Sequence, residues 1–353
     1  MLNLLSMLLL LGFCIAVLML VRRRVLSQRR DDLAALAAAS SDAEAVVVGK
    51  VLRTLRSRNL AALGAAAFGA AVAIFFTEAF PRTYGLLMVA APAIMAVLAA
   101  AVYAFWRIPH EFPTADPAPS GRISADLTPR STGMFGPAWG IVLPGVLLIG
   151  TLGGLLVAGM FSGPDEKGLY RDLPYVSMNG AQLDENSVVT QIHMSDGSTG
   201  PFPGWYYGLP VMGLLVIAGI LTLWALNVNA RRPRLRSTGL QGFDHAVRTH
   251  NGYVLSTGLS ALLCFQAVPL VVLSASSIVN AGYNTMYAIG QVYDDDAIPD
   301  SVLDPAHAAL AMSLAGVGLL LGVTGVLLLA NLVGWIGATI MPIRRKSIES
   351  ATA

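Results

Sequence analysis

The chain has 353 residues, of which 55% are hydrophobic and only 12% charged, with a formal net charge of +2. A soluble domain carries about 25% charged residues, so this composition excludes an ordinary water-soluble globule, and so small a net charge gives no basis for a nucleic-acid partner. Two cysteines, Cys14 and Cys264, both inside apolar runs and with no CxxC or Cys/His cluster, exclude a disulfide framework and a structural zinc site.

Residues 1–21 are apolar, lack a basic leading region and lack a small-residue cleavage site. They read as an uncleaved helix rather than a signal peptide. Segment 22–59 holds nine Lys and Arg. Within it Lys50, Arg53 and Arg56 fall on one side at helical spacing, a face for anionic headgroups or for a partner. Apolar runs 60–80 and 84–106 follow, then a Pro-, Ser- and Thr-rich connector at 107–137. After the run 138–161 comes segment 162–204, long enough for a small lid or hairpin, with strand-like alternation at 186–193. Run 205–228 leads to a basic loop at 229–251, run 252–277 to an acidic segment at 278–305, and run 306–336 to a basic tail.

A helix needs about 20 apolar residues to cross the hydrocarbon core, and seven runs meet that length. The connecting segments alternate in charge. Segments 22–59, 107–137 and 229–251 and the tail are basic, whereas 162–204 has six acidic against two basic residues and 278–305 has five Asp and no Lys or Arg. Basic loops stay on the cytoplasmic side. The expected fold is an all-α integral membrane protein of the bacterial cytoplasmic membrane. It has seven transmembrane helices, N-terminus out and C-terminus in, arranged as one helix plus the hairpins 60–106, 138–228 and 252–336. Residues 1–59 form the first helix and its basic segment, 60–336 a six-helix bundle, and 337–353 a cytoplasmic tail.

Three sets of residues are candidates for function. The most polar run, 252–277, carries Thr257, Ser260 and Gln266, which serve either an internal pathway or hydrogen bonds between helices. In the basic loop, Arg234, Arg236, Asp244 and Arg248 form a candidate partner-docking surface. At the outer face, Trp205, Tyr206 and Tyr207 of PFPGWYYGLP and the run Asp294, Asp295 and Asp296 mark either a ligand site or an aromatic belt beside a solvated acidic loop. Pro92, Pro144 and Pro269 interrupt three runs. Gly150-x-x-x-Gly154 and Gly318-x-x-x-Gly322 permit close helix approach, within the chain or between copies. No Walker A, GxSxG or HExxH motif occurs, and no cofactor site is expected.

Three fragments, ADLTPRSTGMF at 125–135, PFPGWYYGLP at 201–210 and GFDHAVR at 242–248, together resemble a group of uncharacterised bacterial multi-pass proteins associated with ABC-transporter gene clusters. The resemblance implies a membrane partner for a separate ATPase subunit. The expected function is a non-catalytic, permease-like subunit of a membrane transport complex, with the bilayer and other membrane or ATPase subunits as partners. The alternatives are an accessory subunit of a respiratory or envelope-biogenesis assembly, and an extracytoplasmic sensor.

Overall fold

Six of the seven apolar runs are helices in the computed structural model, which describes residues 42–108, 134–183, 189–233, 240–285 and 303–340. The predicted first span, 1–21, lies outside the described residues. The helices are α1 (Asp42–Ala79), α2 (Leu86–Phe105), α3 (Val142–Met160), α4 (Trp205–Arg231), α5 (Gln241–Thr285) and α6 (Pro305–Ile340). All six are long and apolar enough to cross a membrane, and the protein is a mostly helical, multi-pass membrane protein. Large apolar side chains such as Phe68, Ile149 and Leu320 face outward. Against water such a surface would drive aggregation, whereas lipid tails solvate it.

The fold is not purely helical. Between α3 and α4 the strands β1 (Gly163–Pro164), β2 (Tyr170–Leu183) and β3 (Val189–Thr199) form an antiparallel sheet in the order β1-β2-β3. The long pair runs from Leu173↔Thr199 to Leu183↔Val189 and is bulged between Met178 and Gly180. Tyr175 lies opposite Gly197 and its ring covers that glycine. The sheet packs against α5 and, through β2, against α4.

Side-chain contacts gather at two ends of the bundle. One, the hairpin end, holds the α1–α2 turn, the sheet and the start of α4. The other, the basic end, holds the ends of α2, α4 and α6 with the early part of α5. Between them Ala90, Ala93 and Ala96 of α2 pack on Val211, Leu215 and Ala218 of α4 and on Leu259 and Leu263 of α5. The alanines let the heavier helices approach. With 38 and 45 residues, α1 and α5 run to about 57 and 68 Å, well beyond the apolar core of a bilayer. Their extensions meet beyond the basic end, where Val48, Val51 and Leu55 pack on Phe243 and Val247. Lys50, Arg53 and Arg56 are exposed on the opposite side of α1.

Two close approaches set the helix positions. Gly252 of α5 sits under the chain at Phe135, where an added Cβ would lie 1.5 Å from the Phe135 carbonyl oxygen. Gly318 and Gly322 of α6 face Val271 and Val268 of α5, so this small-residue pair packs within the chain, whereas nothing lies within 4 Å of Gly150 or Gly154. Pro144 does not interrupt α3. It occupies the first turn, where its missing N–H has no intrahelical partner to lose.

Pro92 lies inside α2 and removes one bond of its ladder. One step later, the Gln266 side chain spans the pair that a straight helix would join directly. Its Oε1 accepts the Ala93 N–H at 3.0 Å and its Nε2 donates to the Val89 carbonyl at 2.8 Å. A side-chain amide thus completes the backbone of a neighbouring helix in a setting where water is not at hand.

Two outcomes are expected. Gly252→Ala lowers stability by about 1–3 kcal/mol or more through overpacking, while Gly145→Ala, with no atom within 4 Å, leaves it unchanged or slightly raised; thermal unfolding in detergent checks both. In a double-mutant cycle, Gln266→Leu costs about 1–3 kcal/mol in the native chain and clearly less in a Pro92→Ala background. There α2 can close its own ladder, giving a coupling of about 0.5–3 kcal/mol between the two sites.

Candidate functional site

At the hairpin end the aromatic motif is a clamp. The Tyr206 and Tyr207 hydroxyls donate to the carbonyls of Thr83 (3.0 Å) and Tyr84 (2.8 Å) in the turn between α1 and α2. The Trp205 ring lies over Gly159 of α3, where a Cβ would come within 2.7 Å of it. The Arg171 guanidinium covers the Tyr84 ring at 3.7 Å and its Nε donates to Asp165 at 2.6 Å. Desolvation pushes the Asp165 carboxyl upward, but bonds from the Leu169 N–H, Arg171 and the Lys167 N–H outweigh it and hold the group below the usual carboxylate range. These aromatics therefore tie three segments together. Asp294, Asp295 and Asp296 lie outside the described residues.

At the basic end a buried polar layer crosses the bundle. Arg248 of α5 is buried and uses all five of its N–H donors. Its Nε donates to Asp244 at 2.7 Å. Its Nη1 donates to the carbonyls of Asn229 (3.2 Å) and Ala230 (2.9 Å), and its Nη2 to those of Arg232 (2.7 Å) and Pro233 (3.2 Å). These carbonyls close α4, whose last turn otherwise leaves acceptors unmet and carries partial negative charge. Arg232 pairs with the second oxygen of Asp244. Burial lowers the Arg232 guanidinium from its ordinary value, although the adjoining Asp244 carboxylate opposes that shift. Phe135 seats its ring on α5, 5.6 Å from His245 and 5.4 Å from the Arg248 guanidinium. Residues of the sequence stretches 125–135 and 242–248 thus meet in space.

The layer continues toward α1. Asn229 donates to the Arg248 carbonyl at 2.9 Å, Asn251 donates to Asn229 at 2.9 Å, and Arg58 donates to Asn251. The Arg58 guanidinium lies 4.7 Å over the Tyr103 ring. The Tyr103 hydroxyl donates to Asn59 at 2.7 Å, and Asn59 donates to Thr339 of α6 at 3.0 Å. Trp335 of α6 stacks on Tyr253 of α5 at 4.4 Å.

Two clefts adjoin this layer. One, of about 270 Å³, is lined by Arg58, Arg107, Arg231 and Arg232 with Asn227 and Trp106, and no carboxylate among the described residues lines it. The other, of about 170 Å³, is apolar and runs between α1, α2, α5 and α6 along alanines such as Ala66, Ala99 and Ala100. Tyr103 and Leu255 line both. The first can hold an anion; the second can hold hydrocarbon.

Each candidate residue can now be placed. Gln266 is fully engaged with α2, and the Thr257 and Ser260 hydroxyls are buried and make no hydrogen bond among the described residues. The cleft beside α5 is apolar and is lined by other residues of that helix, such as Leu259, Leu262 and Phe265. Asp244 and Arg248 are buried within the α4–α5 junction, so their side chains present no docking surface; Arg234 and Arg236 lie outside the described residues. Sequence reading missed Arg58, Asn59, Tyr103, Asn229, Asn251 and Thr339. Their only signal was polar residues at the ends of several apolar runs. Among the described residues no group of three metal-ligating side chains gathers. Comparison with protein-family models, curated proteins and solved structures returns no match.

Removing Arg248 leaves Asp244 underpaired and four carbonyls without their donor. Arg248→Leu is expected to lower stability by about 3–5 kcal/mol, and Arg248→Lys to recover only part of that, because an ammonium cannot span the carbonyl set. The midpoint of denaturation in mixed micelles measures both.

Proposed function

We propose that this protein is a non-catalytic, multi-pass subunit of a membrane transport complex in the bacterial cytoplasmic membrane. Any ATPase is supplied by a separate chain. Within such a complex the geometry favours an accessory role over a path for water-soluble solutes. One observation carries this: the most polar transmembrane helix, α5, directs its amide at Gln266 into the backbone of α2, and the cleft beside it is apolar. A solute-conducting permease needs a polar lining that water can enter.

In this reading the basic end faces the cytoplasm and the hairpin end lies outside, as the charge distribution favours. Residues 1–21 supply a seventh span with the N-terminus out. The face bearing Lys50, Arg53 and Arg56 then lies at the cytoplasmic surface, exposed and open to anionic headgroups or to a partner subunit.

Affinity purification from native membranes in mild detergent, with mass spectrometry, tests the assignment. A stoichiometric partner chain is expected. Recovery of the protein alone, or flux of a hydrophilic solute through the purified protein in liposomes, would contradict it. Orientation is read separately. A cysteine at Ser198 should react with a membrane-impermeant maleimide on intact cells, and one at Arg53 only after permeabilisation.

A further inference from the structure

We infer that the basic cleft and the apolar cleft form one site for a membrane lipid with an anionic phosphate headgroup. Arg58, Arg107, Arg231 and Arg232 hold the phosphate, and an acyl chain lies along the alanine-lined groove.

The charge pattern points to an anion. Among the described residues, four arginines and no carboxylate line the basic cleft. Asp244, which pairs with Arg232, is buried behind the lining and fixes that guanidinium in place. Arg58 is 5% exposed, yet its Nε makes no hydrogen bond among the described residues. An unmet donor on a buried cation is costly, and a phosphate in the cleft that Arg58 lines offsets the charge of that guanidinium. Arg107 and Arg231 are exposed at the rim and meet no carboxylate among the described residues. Guanidinium forks match the oxygens of a phosphate, which a point charge does less well.

The second half of the pattern points to a lipid rather than a free anion. The apolar cleft begins where the basic cleft ends, at Tyr103 and Leu255. Its few polar groups are already engaged: the Tyr103 hydroxyl bonds Asn59 and the Thr222 hydroxyl bonds the Ala218 carbonyl. What remains of the lining is alanines, Gly258 and larger apolar side chains such as Leu63, Met95 and Phe265. Trp106 lines the basic cleft, and the exposed Trp224 packs edge-on against Phe105 nearby. Indole rings favour the headgroup level of a bilayer, which places the arginines where phosphates lie. Neither half depends on the protein being a transport subunit, so the site can exist in a chain that is recovered without partners.

Thermal unfolding of the full-length protein in maltoside detergent tests the site with three probes: dioleoyl phosphatidylglycerol, dioleoyl phosphatidylcholine and glycerol 3-phosphate. Phosphatidylglycerol should raise Tm by several degrees, and the other two should not. Arg107→Gln with Arg231→Gln, both at exposed positions, should leave Tm without lipid unchanged and weaken the phosphatidylglycerol response about tenfold in concentration. A photoreactive benzophenone side chain in place of Leu63, which lines the apolar cleft, should cross-link to phosphatidylglycerol in nanodiscs. An equal response to phosphatidylcholine, or no effect of the two substitutions, would overturn headgroup recognition. A response to glycerol 3-phosphate as large as to the lipid would make this a free-phosphate site. Cross-linking to residues 1–21 of the same chain instead of lipid would make the groove a seat for that segment.

Discussion

A backbone group inside a bilayer has no water to turn to, and the polar residues of this protein are arranged around that constraint. Gln266 supplies donor and acceptor to α2 one step beyond its proline. Arg248 closes the end of α4 with four hydrogen bonds to carbonyls and holds its own charge against Asp244. The Tyr206 and Tyr207 hydroxyls do the same for the turn between α1 and α2. In each case a polar side chain on one helix completes the backbone of another element. Helices tied this way cannot slide without leaving groups unmet, so the same bonds that permit the fold also fix its register.

That use of polar residues bears on function. A helix rich in Ser, Thr and Gln looks like a pathway when read alone. Here its amide is occupied, two of its hydroxyls are buried, and the space beside it is lined by alanine and leucine. The two clefts at the basic end are lined by arginines in one and by hydrocarbon in the other. What this end offers is a positively charged cleft beside an apolar one.

Much of the architecture was legible because membrane helices announce themselves by length and hydropathy. The run 84–106 became Leu86–Phe105, and 205–228 became Trp205–Arg231. The largest boundary differences are at α1, expected from 60 and found from Asp42, and at α5, expected from 252 and found from Gln241. The extra turns of α5 carry Asp244 and Arg248, whose charges read as a loop until the partners that neutralise them are known. The hairpin at 162–204 was one of two forms expected, and only the second strand showed alternation. Sites were less legible for a consistent reason. Asp244 and Arg248 stand at helical spacing, but the partners of Gln266 and Arg58 and the carbonyls that Arg248 closes lie on other elements, up to 193 residues away in the chain for Arg58 and Asn251. Spacing along a single run carries no trace of such pairs. Pro144 illustrates the converse, since its effect depends on where in a helix it falls.

The central claim, that the polar stretch of α5 is structural and dry, can be tested on a native side chain. Cys264 lies between Ser260 and Gln266 and is fully buried. In proteoliposomes of a Cys14→Ser variant, its reaction with a small charged thiosulfonate reagent applied from both sides reports whether water reaches that level. The account predicts no modification until the protein is denatured. Rapid modification in the folded protein would mean a hydrated route along α5, and would return the permease reading to the fore.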